Sequence, residues 1–212
     1  KGQEMGLHEF RGRRGTALAQ AAATKLGGGE YPHAESIWSI GTKSEEASYP
    51  PSYDGKALMV WNQVNTYKIV DMLGICKNYF AWASDRSLNL PAKLFSLATG
   101  VNASEEDLFF AAQRVQTLER AFDVIRGIRR KDDTLPDRMF ETVVSGGPFK
   151  GMVLEKEKFD KLISEFYEVA GWDEDGIPKE ETFNKYGLES EWESFSKKVK
   201  GKGSIKTLPV TY

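Results

Sequence analysis

The stretch from Ser104 to Arg126 constrains the fold more than any other part of this chain. Ser104 followed by Asp107 reads as a capping box, and Glu105 and Glu106 suit the positive end of a helix dipole. Behind that start, Leu108, Ala111, Val115, Leu118, Phe122 and Ile125 recur every three or four residues. That is the period of a helix with one buried face. The same period returns over Lys56 to Trp82, with Val60, Val64, Tyr67 and Val70, where Gly74 is a candidate stop. It returns again over Phe159, Leu162, Ile163, Phe166, Tyr167 and Ala170, closed by Gly171. Shorter helices are expected over Thr16 to Leu26, Lys93 to Ala98, Glu180 to Tyr186 and Glu189 to Val199, with a further helical turn after Pro136. No alternation of the strand type survives for more than a few residues, so the chain is expected to be all-α.

Three zones follow from the punctuation. Residues 1–55 form a loop-rich entry segment with one short helix, 56–199 a helical bundle, and 200–212 a tail. From Glu30 to Gly55 the chain is broken by Pro32, Pro50 and Pro51, and ordered loops of that length usually bind something. The first residues carry neither an initiator Met nor an apolar signal core, which suggests the C-terminal portion of a longer polypeptide or one subunit of an assembly.

Charge and cysteine usage narrow the function. With 29 basic and 31 acidic residues, a net charge of −2 argues against binding a nucleic-acid backbone. No run of eighteen apolar residues exists, so no membrane span is expected, and the single cysteine fits a reducing, cytoplasmic setting.

That cysteine, Cys76, closes the string Asp71-Met72-Leu73-Gly74-Ile75-Cys76. A lone thiol is commonly an inert buried side chain, and alone it forms neither a disulfide nor a metal site. The pattern Asp-x-x-Gly-(Leu/Ile)-Cys, however, resembles the pterin-and-cluster motif of the tungsten-dependent aldehyde ferredoxin oxidoreductases. Other blocks resemble that family in the same order. Arg120-Ala121-Phe122 precedes Arg129-Arg130-Lys131-Asp132-Asp133-Thr134-Leu135-Pro136, and Gly171-Trp172-Asp173 runs into Gly176-Ile177-Pro178. His8-Glu9-Phe10-Arg11-Gly12 is similar to its Asp-Pro-Arg-Gly turn. The resemblance spans Lys1 to Leu188 and covers about the C-terminal third of a full-length family enzyme.

The resemblance implies part of an oxidoreductase with a tungsten (or molybdenum) bis-pyranopterin and a 4Fe-4S cluster, incomplete alone. It would oxidise a small aldehyde to a carboxylate and pass electrons to ferredoxin or another carrier. Asp71 and the backbone of Ile75 would bind the pterin, Cys76 would ligate the cluster, and His33 in the Gly-rich loop would assist proton transfer. The principal partner would be the N-terminal, pterin-binding remainder of the same enzyme, and homo-oligomerisation is left open. Two departures bear on substrate. Asp123 stands where the family has Asn, and Arg126-Gly127-Ile128-Arg129-Arg130 is closer to the benzoyl-CoA-type reductases, which act on aromatic acyl-CoA thioesters. A third alternative is a cofactor-free helical interaction module.

Other residues read more plainly. Glu30 and Glu35, beside His33, are weak candidates for a general base. Arg11, Arg13 and Arg14 before a helix start could cradle a phosphate, although a basic surface turn is the simpler reading. The run Arg129 to Asp133 is expected to form ion pairs that pin a helix end. Trp61, Trp82, Trp172 and Trp192 are expected in the core.

Overall fold

A computed structural model of the chain describes residues 9–22, 24, 51–76 and 88–200, the side chain of Lys200 excepted. Among these residues no strand forms, and the one ladder contact is an isolated antiparallel bridge between Trp172 and Pro178. The helices are α1 (Arg14–Ala22), α2 (Lys56–Leu73), α3 (Asn89–Thr99), α4 (Glu105–Ile125), α5 (Arg138–Glu141), α6 (Lys156–Ala170), α7 (Glu180–Lys185) and α8 (Glu189–Lys200). A 3₁₀ turn at Arg130–Asp132 follows α4. The all-α expectation holds.

Helix α2 is the hub and packs against α1, α4 and α6. Gly74, the candidate stop, ends it at Leu73, short of Trp82, and residues 77–87 lie outside the described part. Helix α1 is buried nearly all round because its run Ala17-Leu18-Ala19 with Ala21 and Ala22 presents small side chains on every face. Such residues let neighbouring helices approach closely. Around them, Phe10, Trp61, Leu154, Phe159, Phe166 and Trp172 complete the main core. Two smaller cores lie under the C-terminal end of α2 with α3 (Ile69, Val70, Leu88, Ala92, Leu108, Ala112) and between α4, α7 and α8.

Helix α4 starts as its capping box dictates. Ser104 Oγ accepts from the Asp107 amide at 3.1 Å, and Asp107 Oδ2 accepts from the Ser104 amide at 2.9 Å. Its inward face differs from the expected stripe. The buried residues are Leu108, Ala112, Gln116, Thr117, Arg120, Ala121 and Val124, whereas Leu118 is 37% and Phe122 59% exposed. The buried row includes three polar residues that hydrophobic spacing alone rejects. Hydrogen bonds make it possible: Thr117 donates to the Gln113 carbonyl of its own helix at 2.8 Å, and Arg120 donates to the Gly176 carbonyl at 2.7 Å.

The basic entry turn is structural. Arg11 pairs with Glu9 at 2.6 Å and donates to the Thr142 carbonyl. The hydrogen bond from Arg11 lowers the Glu9 pKa against a smaller opposing effect of burial. Arg14 is buried with its guanidinium 5.0 Å from the Tyr53 ring centre and donates to the Val153 carbonyl at 2.9 Å. Gly12 lies under the Phe149 ring, where a Cβ would come within 2.1 Å of a ring carbon. These contacts tie the entry turn to the segment before α6 instead of opening it to a phosphate. Trp61 and Trp172 are core residues as expected, and Trp192 is half-buried.

Candidate functional site

The C-terminal end of α2 carries the expected cofactor motif, and its geometry follows from one glycine. Gly74 adopts φ 67°, ψ 24°, a left-handed conformation that L side chains avoid. Nothing lies within 4 Å of where its Cβ would stand, so the glycine answers a backbone need and not a lack of space. Its amide donates to the Asp71 carbonyl at 3.2 Å, and the Ile75 amide donates to the Val70 carbonyl at 3.0 Å. This is the paired hydrogen-bond pattern of a Schellman cap. The half-buried Ile75 side chain packs against the small core that contains Ile69, Val70, Leu88, Ala92, Leu108 and Ala112, the kind of apolar contact that usually accompanies such a cap.

The cap sorts the motif into anchored and outward-facing parts. Ile75 is fixed by its side chain and its amide, so the peptide group it retains for a ligand is its carbonyl. Asp71 and Cys76 are both exposed, five residues apart at the same helix end. An exposed thiol at a rigid helix end fits the role of one soft ligand to an iron–sulfur cluster, and an exposed carboxylate fits that of an acceptor for ring N–H groups. Among the described residues no group of three or more His, Cys, Asp or Glu converges. The sequence has one cysteine, so any cluster here takes its remaining thiolates from elsewhere. His33, Glu30, Glu35, His8 and Trp82 lie outside the described residues.

The remaining family-like blocks meet at a buried node that the sequence alone did not reveal. Arg120 of α4 is fully buried. Its Nε donates to the Gly176 carbonyl at 2.7 Å, and its two terminal nitrogens donate to Asp133 at 3.2 and 2.6 Å. The Tyr167 hydroxyl also donates to Asp133. The guanidinium lies 4.5 Å from the Trp172 ring centre. Burial pulls the Arg120 pKa down, but the Asp133 carboxylate outweighs it and the net direction is up. Burial, reinforced by the same carboxylate, pushes the Tyr167 pKa far up.

With no solvent access the node binds no substrate, and its role is to lock α4, the 3₁₀ turn, α6 and the Gly171–Pro178 loop together. The Arg129–Asp133 run pins a helix end by other means than the expected ion pairs: Arg129 donates to the Val124 and Ile128 carbonyls at 2.7 and 2.8 Å, and the run's ion pair is Asp133 with Arg120 of α4. The sequence signal for the node was an arginine four residues after Gln116 and four before Val124, beside the expected apolar stripe and not on it. A second polar tie joins Lys68 to Glu119 at 2.5 Å, and Glu119 also accepts from Thr24 at 2.8 Å.

Residues 1–188 match the family described as aldehyde ferredoxin oxidoreductase, domains 2 & 3. The chain belongs to that family. It is 28% identical over 191 residues to the tungsten-containing aldehyde ferredoxin oxidoreductase of Pyrococcus abyssi, a match covering 89% of this chain and 30% of that protein. Over 59 residues it is 42% identical to the aliphatic sulfonate oxidoreductase, WOR-like subunit, of Pyrococcus furiosus, covering 28% of this chain and 9% of that one. Among solved structures it resembles the active-site complex BamBC of benzoyl coenzyme A reductase bound to 1,5-dienoyl-CoA. The TM-score is 0.59 at 27% identity, covering 77% of this chain and 24% of that one. The chain therefore spans under a third of the length of these relatives. The Asp71–Cys76 motif and the Arg120 node both lie inside the aldehyde ferredoxin oxidoreductase match, and all of α8 lies beyond it.

Proposed function

We propose that this chain is the C-terminal part of a tungsten (or molybdenum) bispterin oxidoreductase that oxidises aldehydes to carboxylates. The observation that carries the reading is the Gly74 cap, which leaves Cys76 and Asp71 exposed at one rigid helix end while Ile75 is anchored beneath them. Cys76 as thiolate would be one ligand of a 4Fe-4S cluster completed by the rest of the enzyme. Asp71 would accept hydrogen bonds from the pterin's ring and amino N–H groups, and the Ile75 carbonyl would accept another. His33 would hold or move the proton released at the substrate. When bound, the metal–pterin centre accepts the two electrons released as an aldehyde and water become a carboxylate, for transfer through the cluster to ferredoxin or another carrier. The family membership and the tungsten-containing relatives support this assignment.

A second reading, reduction of an aromatic acyl-CoA thioester with the same cofactors, is favoured by the likeness to the benzoyl coenzyme A reductase complex. The test is metal analysis of the anaerobically purified whole enzyme together with assays on aliphatic aldehydes, aromatic aldehydes and benzoyl-CoA. Tungsten or molybdenum with aldehyde turnover supports the first reading. Metal with turnover of the thioester alone supports the second, and protein free of both metals and of iron overturns both.

A further inference from the structure

Helix α3 is set apart by the composition of its solvent side. Its eleven residues carry one charge, Lys93, and only Pro91 and Ala92 are buried. The outward face of a surface helix ordinarily holds its charged and polar residues. Here it holds leucines. Leu90, Leu94 and Leu97 recur at four- and three-residue spacing, which puts them on one face, and they are 40%, 50% and 74% exposed. Val101, just past the Gly100 cap, is 56% exposed. Among the described residues, eleven large apolar side chains are exposed, and these four are the only ones that cluster in one short stretch of sequence. None of the four belongs to a core. The exposed rings of α4 differ, since Phe110 lies against Tyr186 and Phe122 beneath the Arg126 guanidinium.

We propose that the α3 stripe is the surface on which the remainder of the same enzyme docks. The inference rests on the reading of Cys76 as one ligand of a cluster completed from outside this chain. On that reading the remainder must bring its thiolates to the exposed Cys76. The N-terminal end of α3 stands at the same corner of the molecule. Leu88 and Ala92 belong to the small core against which Ile75 packs, and Ile75 precedes Cys76 in sequence. Leu90, between those two core residues, is exposed. From Leu90 to Leu97 the stripe runs about 10 Å along the helix at 1.5 Å per residue. A body that reaches Cys76 therefore has the stripe alongside.

Size selects the occupant. The chain spans under a third of the length of its relatives, so the larger part of such an enzyme lies outside it. A stable interface between separate copies takes about 800 Å² and roughly 20–30 residues from each side. Four residues fall far short of that. A remainder joined to this chain by the backbone needs no such area, because its docking is intramolecular. The element that fits is apolar and uncharged, since a charged one would lose its hydration against leucines, with Lys93 as the one charge on the helix.

The test uses the whole enzyme, purified anaerobically. A benzophenone-bearing amino acid replaces Leu97, and mass spectrometry identifies what it captures in a mixture of isotope-labelled and unlabelled enzyme. Separately, Leu94→Lys/Leu97→Lys is compared with Val143→Lys, which places a charge on an exposed apolar residue elsewhere. Lysine matches leucine in helix propensity, so the double variant perturbs the contact and not the helix. Docking predicts capture of the remainder of the same, equally labelled enzyme. It also predicts hydrogen exchange of residues 89–101 about tenfold faster in the double variant and unchanged in Val143→Lys. Capture between labelled and unlabelled enzyme, which would mean that a second copy covers the stripe, overturns the proposal. So does capture confined to this chain, no capture, or exchange indifferent to the double substitution. Metal analysis keeps the two readings apart. A parent enzyme free of iron, tungsten and molybdenum that still gives the predicted capture defeats the functional reading alone, and a metal-bearing parent without it defeats the docking alone.

Discussion

Replacing Arg120 with Leu tests the buried node most sharply. The substitution removes the guanidinium that donates twice to Asp133 and once to the Gly176 carbonyl, in a setting where both charged side chains are fully buried. Asp133 keeps the Tyr167 hydroxyl but loses its opposite charge. Breaking a buried pair by removing one partner costs roughly 3–5 kcal/mol, because the remaining charge has lost its compensation. Losing the bond to Gly176 adds about 1 kcal/mol. The sum is a large fraction of the roughly 5–15 kcal/mol that holds a typical domain together. Denaturant unfolding of the whole polypeptide, followed through the tryptophans of this region, should show the Arg120→Leu transition well below that of the parent. Arg120→Leu/Asp133→Leu should recover part of the loss, since no unpaired charge is then left buried. An Arg120→Leu variant as stable as a surface substitution, within about 0.5 kcal/mol of the parent, would refute the reasoning.

Three further outcomes are expected. Gly74→Ala forces a side chain into left-handed backbone and should cost about 1–2 kcal/mol, with Gly74→Asn milder; the urea midpoints of the two variants check this. Ser104→Ala removes one half of the capping box and should cost about 1 kcal/mol, read as faster hydrogen exchange in the first turn of α4. Burial, helped by the hydrogen bond to Glu155, pushes the Tyr53 pKa from its ordinary 10.0 up to about 12. A raised folded-state pKa gives stability that is whole below the unfolded value and is lost as pH rises through the folded one. Unfolding midpoints should therefore fall between pH 10 and 12, and less steeply in Tyr53→Phe.

The all-α architecture was legible because its stop and start signals are local: Ser104 with Asp107, Gly74 and Gly171 act on neighbours within one turn. The end of α2 was legible only as a choice: apolar spacing continues to Trp82, and the left-handed backbone at Gly74, the candidate stop, decides for Leu73. The inward face of α4 was misread for a different reason. Arg120 is buried because Asp133, thirteen residues away, neutralises it, and such pairing leaves no trace in helical periodicity. Leu118 and Phe122 fit the expected stripe yet are exposed. At the site, the motif pointed to Asp71, Ile75 and Cys76, but the division into an anchored isoleucine and two exposed side chains emerges from the cap. Lone cysteines are more often buried, so the exposure of Cys76 is information that the structure adds.

The account stands on Cys76 as a cluster ligand, and the most direct measurement is the iron content and low-temperature electron paramagnetic resonance of the anaerobically purified whole enzyme carrying Cys76→Ala. Loss of the reduced-cluster signal and of most of its iron, with the helical circular dichroism retained, is the predicted result. An unchanged signal and unchanged iron in Cys76→Ala would contradict the assignment.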